Sequence, residues 1–195
     1  ELHRRLPGYQ VTPLRELSAL AQRLGVGEIL VKDESLRLGL PAFKILGASW
    51  ATYKTLLPRL GVDHPQDLDD LVSLLEPYPC VLVTASEGNH GRALARMARL
   101  LDVHARIFLP AATARRRVLA IEEEGAEVVM VNGDYDQAVA TAAAQEGPET
   151  LVIQDQSWEG YEKIPRLVIE GYSTIFWEIE DQLAAAGKPG PDLVF

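Results

Sequence analysis

Cysteine is almost missing from this 195-residue chain, in which Cys80 stands alone. A single thiol forms no intrachain disulfide and no cysteine-based zinc site, so a reducing, cytoplasmic setting is expected. Aromatic residues are sparse at 7%, and positive charge is in deficit: 19 Lys and Arg stand against 28 Asp and Glu, a net charge of −9. With a pI near 5.0, the chain lacks the basic footprint of a nucleic-acid binder or of a protein drawn to an anionic membrane. No apolar run nears the roughly 20 residues that span a bilayer. The opening ELHRRLPGYQ lacks the apolar core of a signal peptide. What is present is 47% hydrophobic and 24% charged residues, the balance of a globular protein that takes small polar ligands. At roughly 100–200 residues per domain the length suits one domain or two small ones. Glu1 at the start and the strand-like PDLVF at the end, which no turn residue follows, make both ends read as cut.

Residues 13–24 (PLRELSALAQRL) carry leucines at helical spacing, with Thr12 placed as N-cap, Pro13 at the first position and Gly25 as the stop, and predict a helix. EILVKDE follows as a short strand. A second helix is predicted from Ala42 to about Leu57, then a turn over 58–61, and Asp63 with Gln66 reads as the capping box of a third helix. After Pro79 the pattern becomes regular. Apolar runs CVLVT, ARIFL, EVVMV and LVI begin at 80, 105, 127 and 151, each followed by a helical stretch. That alternation predicts an α/β fold with right-handed crossovers and a parallel sheet covered by helices on both faces. A long helix over 163–186 is expected to lead into a terminal strand, LVF.

Ligands of an open parallel sheet sit outside the carboxyl ends of its strands, so the strand-to-helix turns are where chemistry is sought. Gly88, Asn89, His90 and Gly91 open a helix, and their N–H groups form an anion or carboxylate cradle; a plain Gly-rich turn with an Asn cap fits the tetrapeptide as well. Glu87 and Asp155 follow different strands of the same sheet, so two carboxylates can converge for general acid and base work. Lys44 lies among Phe43, Ile45 and Leu46 at a helix start, where desolvation and the helix dipole disfavour its ammonium form, making it a candidate amine nucleophile. A solvated first-turn lysine is the plainer alternative. GVG at 25–27 precedes a strand and is read as a turn. His3, His64 and His104 lack metal-ligand spacing and are read as surface or strand residues, with no metal site expected. Arg115, Arg116 and Arg117 read as a solvated face. Trp158, Tyr161 and Trp177 read as packing residues, with Trp158 also able to wall a ligand.

Four segments occur in order: LVKDESLRLGLPAFKILGAS (30–49), TASEGNHGRALA (84–95), EEGAEVVMVNGDYDQAV (123–139) and VIQDQSWEGYEKIPRLVIEGYST (152–174). Together they make the chain resemble the fold-type II pyridoxal-phosphate enzymes, the tryptophan synthase beta-like group. Within that group it looks most like the diaminopropionate ammonia-lyases. The resemblance implies that Lys44 holds the cofactor as a Schiff base and takes the α proton, and that Asn89 hydrogen-bonds the pyridoxal 3-oxygen. It also implies that Ser86, with the turn at Gly88 and His90, holds the substrate carboxylate, and that Asp155 is an acid/base near the substrate amino groups. The implied reaction is α,β-elimination of 2,3-diaminopropionate to pyruvate and ammonia. A serine or threonine dehydratase, or a non-catalytic truncated remnant, are the alternatives. The complete enzyme is expected to be a homodimer acting on a small amino acid, with no nucleic-acid or membrane partner.

Two departures accompany the resemblance. The family usually has Asp before GNHGR, and this chain has Glu87; the carboxylate persists with one more methylene, which puts the preferred substrate stereoisomer in question. The family's Gly-rich phosphate loop follows the strand corresponding to PDLVF. The chain ends before it, so these residues alone are expected to bind the cofactor poorly and to be inactive. Residues 1–46 are expected to belong to a large cofactor domain and 47–160 to a small parallel α/β domain. Residues 161–195 are expected to begin the return of the large one.

Overall fold

In the computed structural model, which describes residues 2–63, 65 and 67–195, the regular alternation after Pro79 becomes a four-stranded parallel sheet. Its strands are β3 (Val81–Ala85), β4 (His104–Pro110), β5 (Glu127–Val131) and β6 (Thr150–Val152), in the order β5-β4-β3-β6. The runs β3 to β5 step outward in one direction. The chain then crosses back to lay β6 on the other side of β3, so the strand order reverses between β3 and β6. Such a switch point opens a crevice at the carboxyl ends of the two strands.

Both faces of the sheet are buried, which explains why the strands read as nearly continuous apolar runs. Leu82, Ile107 and Leu109 point to one face and pack with Leu94, Met97 and Leu101 of α5 (Asn89–Leu100) and the residue after it. Val83, Ala85 and Phe108 point to the other and meet Ala138 and Ala142 of α7 (Tyr135–Ala143). Each fully buried leucine contributes about 1.5–3 kcal/mol. α6 (Arg115–Glu122) links β4 to β5. Asp134 caps α7 in a reciprocal box with Gln137.

α3 (Lys44–Leu60) and α8 (Lys163–Gly171) cross at very short range, and the crossing depends on two glycines. A Cβ on Gly47 would lie 2.6 Å from the Tyr172 ring and 2.7 Å from Val168 Cγ1, and a Cβ on Gly171 would run into the Leu46 carbonyl. This contact breaks the long helix expected over 163–186. Tyr172 ends α8 and precedes α9 (Ser173–Ala185), so there are two helices.

Other expectations are corrected for similar tertiary reasons. Residues 13–24 are not one helix: β1 (Leu14–Glu16) pairs antiparallel with β2 (Leu30–Lys32), and only α2 (Ser18–Leu24) is helical. Thr12 caps nothing, because its hydroxyl is buried and donates to Glu34 while accepting from Arg37. α3 continues through Pro58 to stop at Gly61, whose φ of 66° suits glycine. The cap of α4 (Leu68–Leu75) is Asp67, which accepts from the Asp70 amide at 2.9 Å; Gln66, like His64 and Glu1, lies outside the described residues. His3, on α1 (Leu2–Arg5), is buried between the Thr174 hydroxyl and the Leu46 carbonyl. Trp177 is 56% exposed. Leu193, Val194 and Phe195 are exposed and pair with none of the described strands. Among the described residues no helix is long and apolar enough to cross a membrane.

Candidate active site

The crevice at the switch point is a cleft of about 300 Å³ lined by Lys44, Ser86, Glu87, Gly88, Asn89, His90, Arg117, Tyr135 and Asp155. Each wall has a local origin. Ser86 to Gly88 form the turn after β3, Asp155 follows β6, and Lys44 opens α3. All seven residues picked out of the sequence therefore face one space.

The turn after β3 is built around the Ser86 hydroxyl, which accepts from the amides of Gly88 at 3.0 Å and Gly91 at 2.9 Å. Two amides of the expected cradle are thus already engaged, and Ser86 retains its own O–H to donate. Gly91 is required here: a Cβ would lie 2.7 Å from Ile107 and 2.9 Å from Ser86 Cβ. α5 starts at Asn89 with Gly88 as its N-cap, so Asn89 sits exposed at the positive end of the helix.

Lys44 Nζ donates to Asp155 Oδ2 at 3.0 Å. Its ammonium lies 5.5 Å from the Tyr172 ring centre and 5.8 Å from that of Phe43. Burial lowers the Lys44 pKa, but Tyr172 and Asp155 outweigh it and hold the pKa above the ordinary lysine value. The sequence-based expectation of a disfavoured ammonium fails for that reason: the desolvated amine has an anionic partner brought from 111 residues away. Burial raises the Asp155 pKa, while His90 and Lys44 overcome it and leave the carboxyl below its usual range.

His90 is 4% exposed, and its Nε2 donates to the Ile153 carbonyl at 2.8 Å. Its Nδ1 is buried without a hydrogen-bond partner, 3.8 Å from Asp155 Oδ2. Burial depresses its pKa, against the pull of Asp155 and the Ile153 carbonyl. The Tyr172 hydroxyl is also buried without a partner.

Three neighbours of the cleft escaped the sequence reading. Arg117, taken there as part of a solvated face, reaches the rim and donates to the Glu87 carbonyl at 2.8 Å. Tyr135 is held by Gln154, whose amide group donates to its hydroxyl at 3.0 Å. The carbonyl of that same Gln154 side chain accepts from the Thr84 hydroxyl and the Ala85 amide, tying β6 to β3 beneath the cleft. Tyr172 arrives from the far end of α8. Tyr135 and Tyr172 lie in the segments 123–139 and 152–174 that carry the resemblance, which was the one available signal for them. Trp158 does not wall this cleft. It stacks on Tyr161, ring centres 4.1 Å apart, and borders a separate cleft of about 380 Å³.

The donor set fits a pyridoxal group. A partly exposed primary amine, an exposed amide side chain at a helix N-terminus and a hydroxyl with a free proton line a cleft of suitable size, with the Tyr172 ring beside the amine; small-molecule sites run from roughly 300 to 1,000 Å³. Lys44 and Asn89 are the residues to hold it. Among the described residues no cluster of three or more His, Cys, Asp or Glu is placed to bind a metal ion.

The family model described as pyridoxal-phosphate dependent enzyme matches residues 5–195. A diaminopropionate ammonia-lyase of Salmonella typhimurium is 39% identical over 97% of this chain and 48% of its own length. An L-threonine ammonia-lyase of Geobacter sulfurreducens is 33% identical over 84% of this chain and 34% of its own. The crystal structure of the Escherichia coli diaminopropionate ammonia-lyase in apo form superposes with a TM-score of 0.88 at 38% identity, covering 96% of this chain and 52% of that one. The chain thus spans about half the length of the diaminopropionate ammonia-lyases it matches. With a family match over nearly every residue and a lysine-centred cleft at the sheet's switch point, the chain belongs to the pyridoxal-phosphate-dependent enzymes of fold type II.

Proposed function

We propose that the polypeptide carrying these residues is a carbon–nitrogen lyase that converts 2,3-diaminopropionate to pyruvate and ammonia by α,β-elimination. The observation that carries the reading is the Lys44–Asp155 pair, an amine and a carboxyl group 3.0 Å apart in one cleft between which a proton can pass, beside a hydroxyl with a proton to give. Bound there, pyridoxal phosphate supplies the electron sink for the charge left when the α proton departs. The protein supplies position and proton transfer. Lys44 anchors the cofactor and, when free, takes the α proton; Asn89 holds the ring from the start of α5. Ser86 donates its hydroxyl proton to the substrate carboxylate, aided by the helix N-terminus. Asp155 protonates the leaving β-amino group, and Glu87 stands at the rim as a second proton acceptor.

We also assign segments 1–46 and 161–195 to one domain, with 47–160 between them. The buried bonds from Arg37 to Glu178 support this, since they join the two outer segments directly.

The identity with diaminopropionate ammonia-lyases favours the diamino substrate over a hydroxy amino acid. The test is stoichiometric. With pyridoxal phosphate present, diaminopropionate is expected to release twice as much ammonia per pyruvate as serine does, and to turn over faster. Preferential turnover of serine or threonine assigns a dehydratase instead.

A further inference from the structure

The resemblance gave the turn at His90 a part in holding the substrate carboxylate, but the imidazole itself is 4% exposed and bonds the Ile153 carbonyl, which leaves the ring without an assigned role. It is the most deeply buried titratable side chain beside Lys44, and its tautomer is set from behind: Nε2 keeps its proton because it donates to the Ile153 carbonyl. Nδ1 therefore presents a lone pair, which has no hydrogen-bond donor in reach and faces Asp155 Oδ2 across 3.8 Å. Asp155 is ionised while Lys44 is an ammonium. Two acceptors then face each other with no proton between them, an arrangement the lysine charge 3.0 Å from the same oxygen helps to sustain.

We infer that His90 holds the proton of Asp155 whenever Lys44 is neutral, and is thereby a positioning residue for the acid of the proposed lyase reaction. The step balances simply. The Lys44 ammonium passes one proton to Asp155, leaving a neutral amine and a neutral carboxylic acid. The new O–H is donated to His90 Nδ1, closing the gap to hydrogen-bond length by a shift of less than roughly 1 Å. A carboxylic acid left without an acceptor in this half-buried place is free to rotate. With Nδ1 opposite, the proton is held on the oxygen that faces Lys44 until the O–H turns from Nδ1 into the cleft and passes its proton to a leaving group.

The charged and titratable groups that share the cleft with His90 are Asp155 after β6, Lys44 of α3, Glu87 of the turn after β3, Arg117 of α6 and Tyr135 of α7, with Tyr172 after α8 beside Lys44 and Asp155. Of these, Asp155 and Lys44 are the charges that act on His90, so removing Lys44 isolates the pair.

This inference rests on the lyase reading for its purpose, but its test does not. With histidine labelled in both ring nitrogens, NMR of the polypeptide without cofactor or substrate reports the tautomer and hydrogen bonding of His90 directly. The Lys44-intact protein is expected to show a neutral Nε2–H ring with a free Nδ1. In Lys44→Ala, Nδ1 is expected to move to a hydrogen-bonded position and the His90 titration to rise by about one unit or more. Adding Asp155→Ala, which leaves no donor opposite Nδ1, is expected to abolish both changes. An Nδ1 signal indifferent to Lys44→Ala, or one that moves equally when Asp155→Ala is also present, overturns the proposal. In the cofactor-loaded protein, His90→Leu is expected to lower kcat with little change in KM and to displace one limb of the pH profile, and His90→Gln, which retains an acceptor, to recover part of the loss. An unchanged profile overturns it as well, while the ammonia-to-pyruvate ratio continues to test the lyase reading separately.

Discussion

Two clusters of charge lie inside this molecule, and they differ in how completely they are satisfied. Around Arg37, which is 0% exposed, every donor of the guanidinium finds a partner. It bonds both oxygens of Glu178 at 2.6 and 2.8 Å, both oxygens of Glu34, the Thr12 hydroxyl and the Gln10 carbonyl. Glu178 also takes the Tyr9 hydroxyl and Lys32. Lys44 bonds one carboxylate, Asp155, in a cleft open to solvent, and two buried polar atoms nearby, His90 Nδ1 and Tyr172 Oη, lack hydrogen-bond partners. A saturated network holds segments together. An unsaturated one keeps capacity for a ligand and for protons in transit.

The contrast is broken most severely from the saturated side. Arg37→Met strands two carboxylates in the interior, and the loss expected is about 3–5 kcal/mol, read as a fall in the urea midpoint. A loss below about 1 kcal/mol would mean that the network contributes little to holding α9 against the N-terminal segment.

Acid should probe the same difference. Burial raises the Glu178 pKa, but bonds from Arg37, Lys32 and Tyr9 bring it from 4.5 to about 2. A carboxyl depressed on folding stabilises the protein above its unfolded value, and that contribution disappears as pH falls from 4.5 through about 2. His3, lowered from 6.5 to about 4 chiefly by burial, adds a loss of the same sign in the window above, since the unfolded chain protonates first. Each group contributes a slope of ~1.4 kcal/mol per pH unit within its window. Denaturation curves against pH should therefore show two successive declines, and Arg37→Met should remove the lower one.

Lys44→Ala inverts the pattern. Its amine is partly solvated, so stability is expected to change by no more than about 1 kcal/mol, while in a longer polypeptide that binds pyridoxal phosphate the absorbance band the cofactor forms with a lysine is lost entirely. A band that survives the substitution would move the anchor to another amine.

The smallest structural effect is expected at Glu87, exposed at the rim. Glu87→Gln should leave the melting curve within about 0.5 kcal/mol of the parent and yet reduce turnover of one substrate stereoisomer more than the other. Equal, unchanged rates for both isomers would remove Glu87 from the proton-acceptor role.

The parallel sheet was readable in the sequence because its signal is local. Apolar runs starting at 80, 105, 127 and 151 lie within one residue of the observed strand starts at Val81, His104, Glu127 and Thr150. The turns after β3 and β6 could be located for the same reason. Failures cluster where a distant contact overrides local preference. The leucines of 13–24 suggest a helix, but the hairpin with β2 takes the backbone, aided by Lys32 donating to the Thr12 carbonyl at 2.7 Å. The run over 163–186 suggests one helix, but the crossing of α8 with α3 ends it at Tyr172. Arg37 sits between two leucines and shows no local sign of a partner 141 residues away.

By itself the sequence determined the alternation of strands and helices from β3 to β6 and the chemical types set at the strand ends, because periodicity, turn residues and motif spacing act over a few residues. Only the tertiary structure decided which charges are neutralised and which are left available. The Lys44 ammonium is stabilised by Asp155, the Asp155 carboxylate faces a histidine lone pair, and Arg37 is silenced by Glu34 and Glu178. Each outcome depends on burial and on partners delivered by the crossing of distant segments, and Coulomb interactions in a desolvated site follow distance in space.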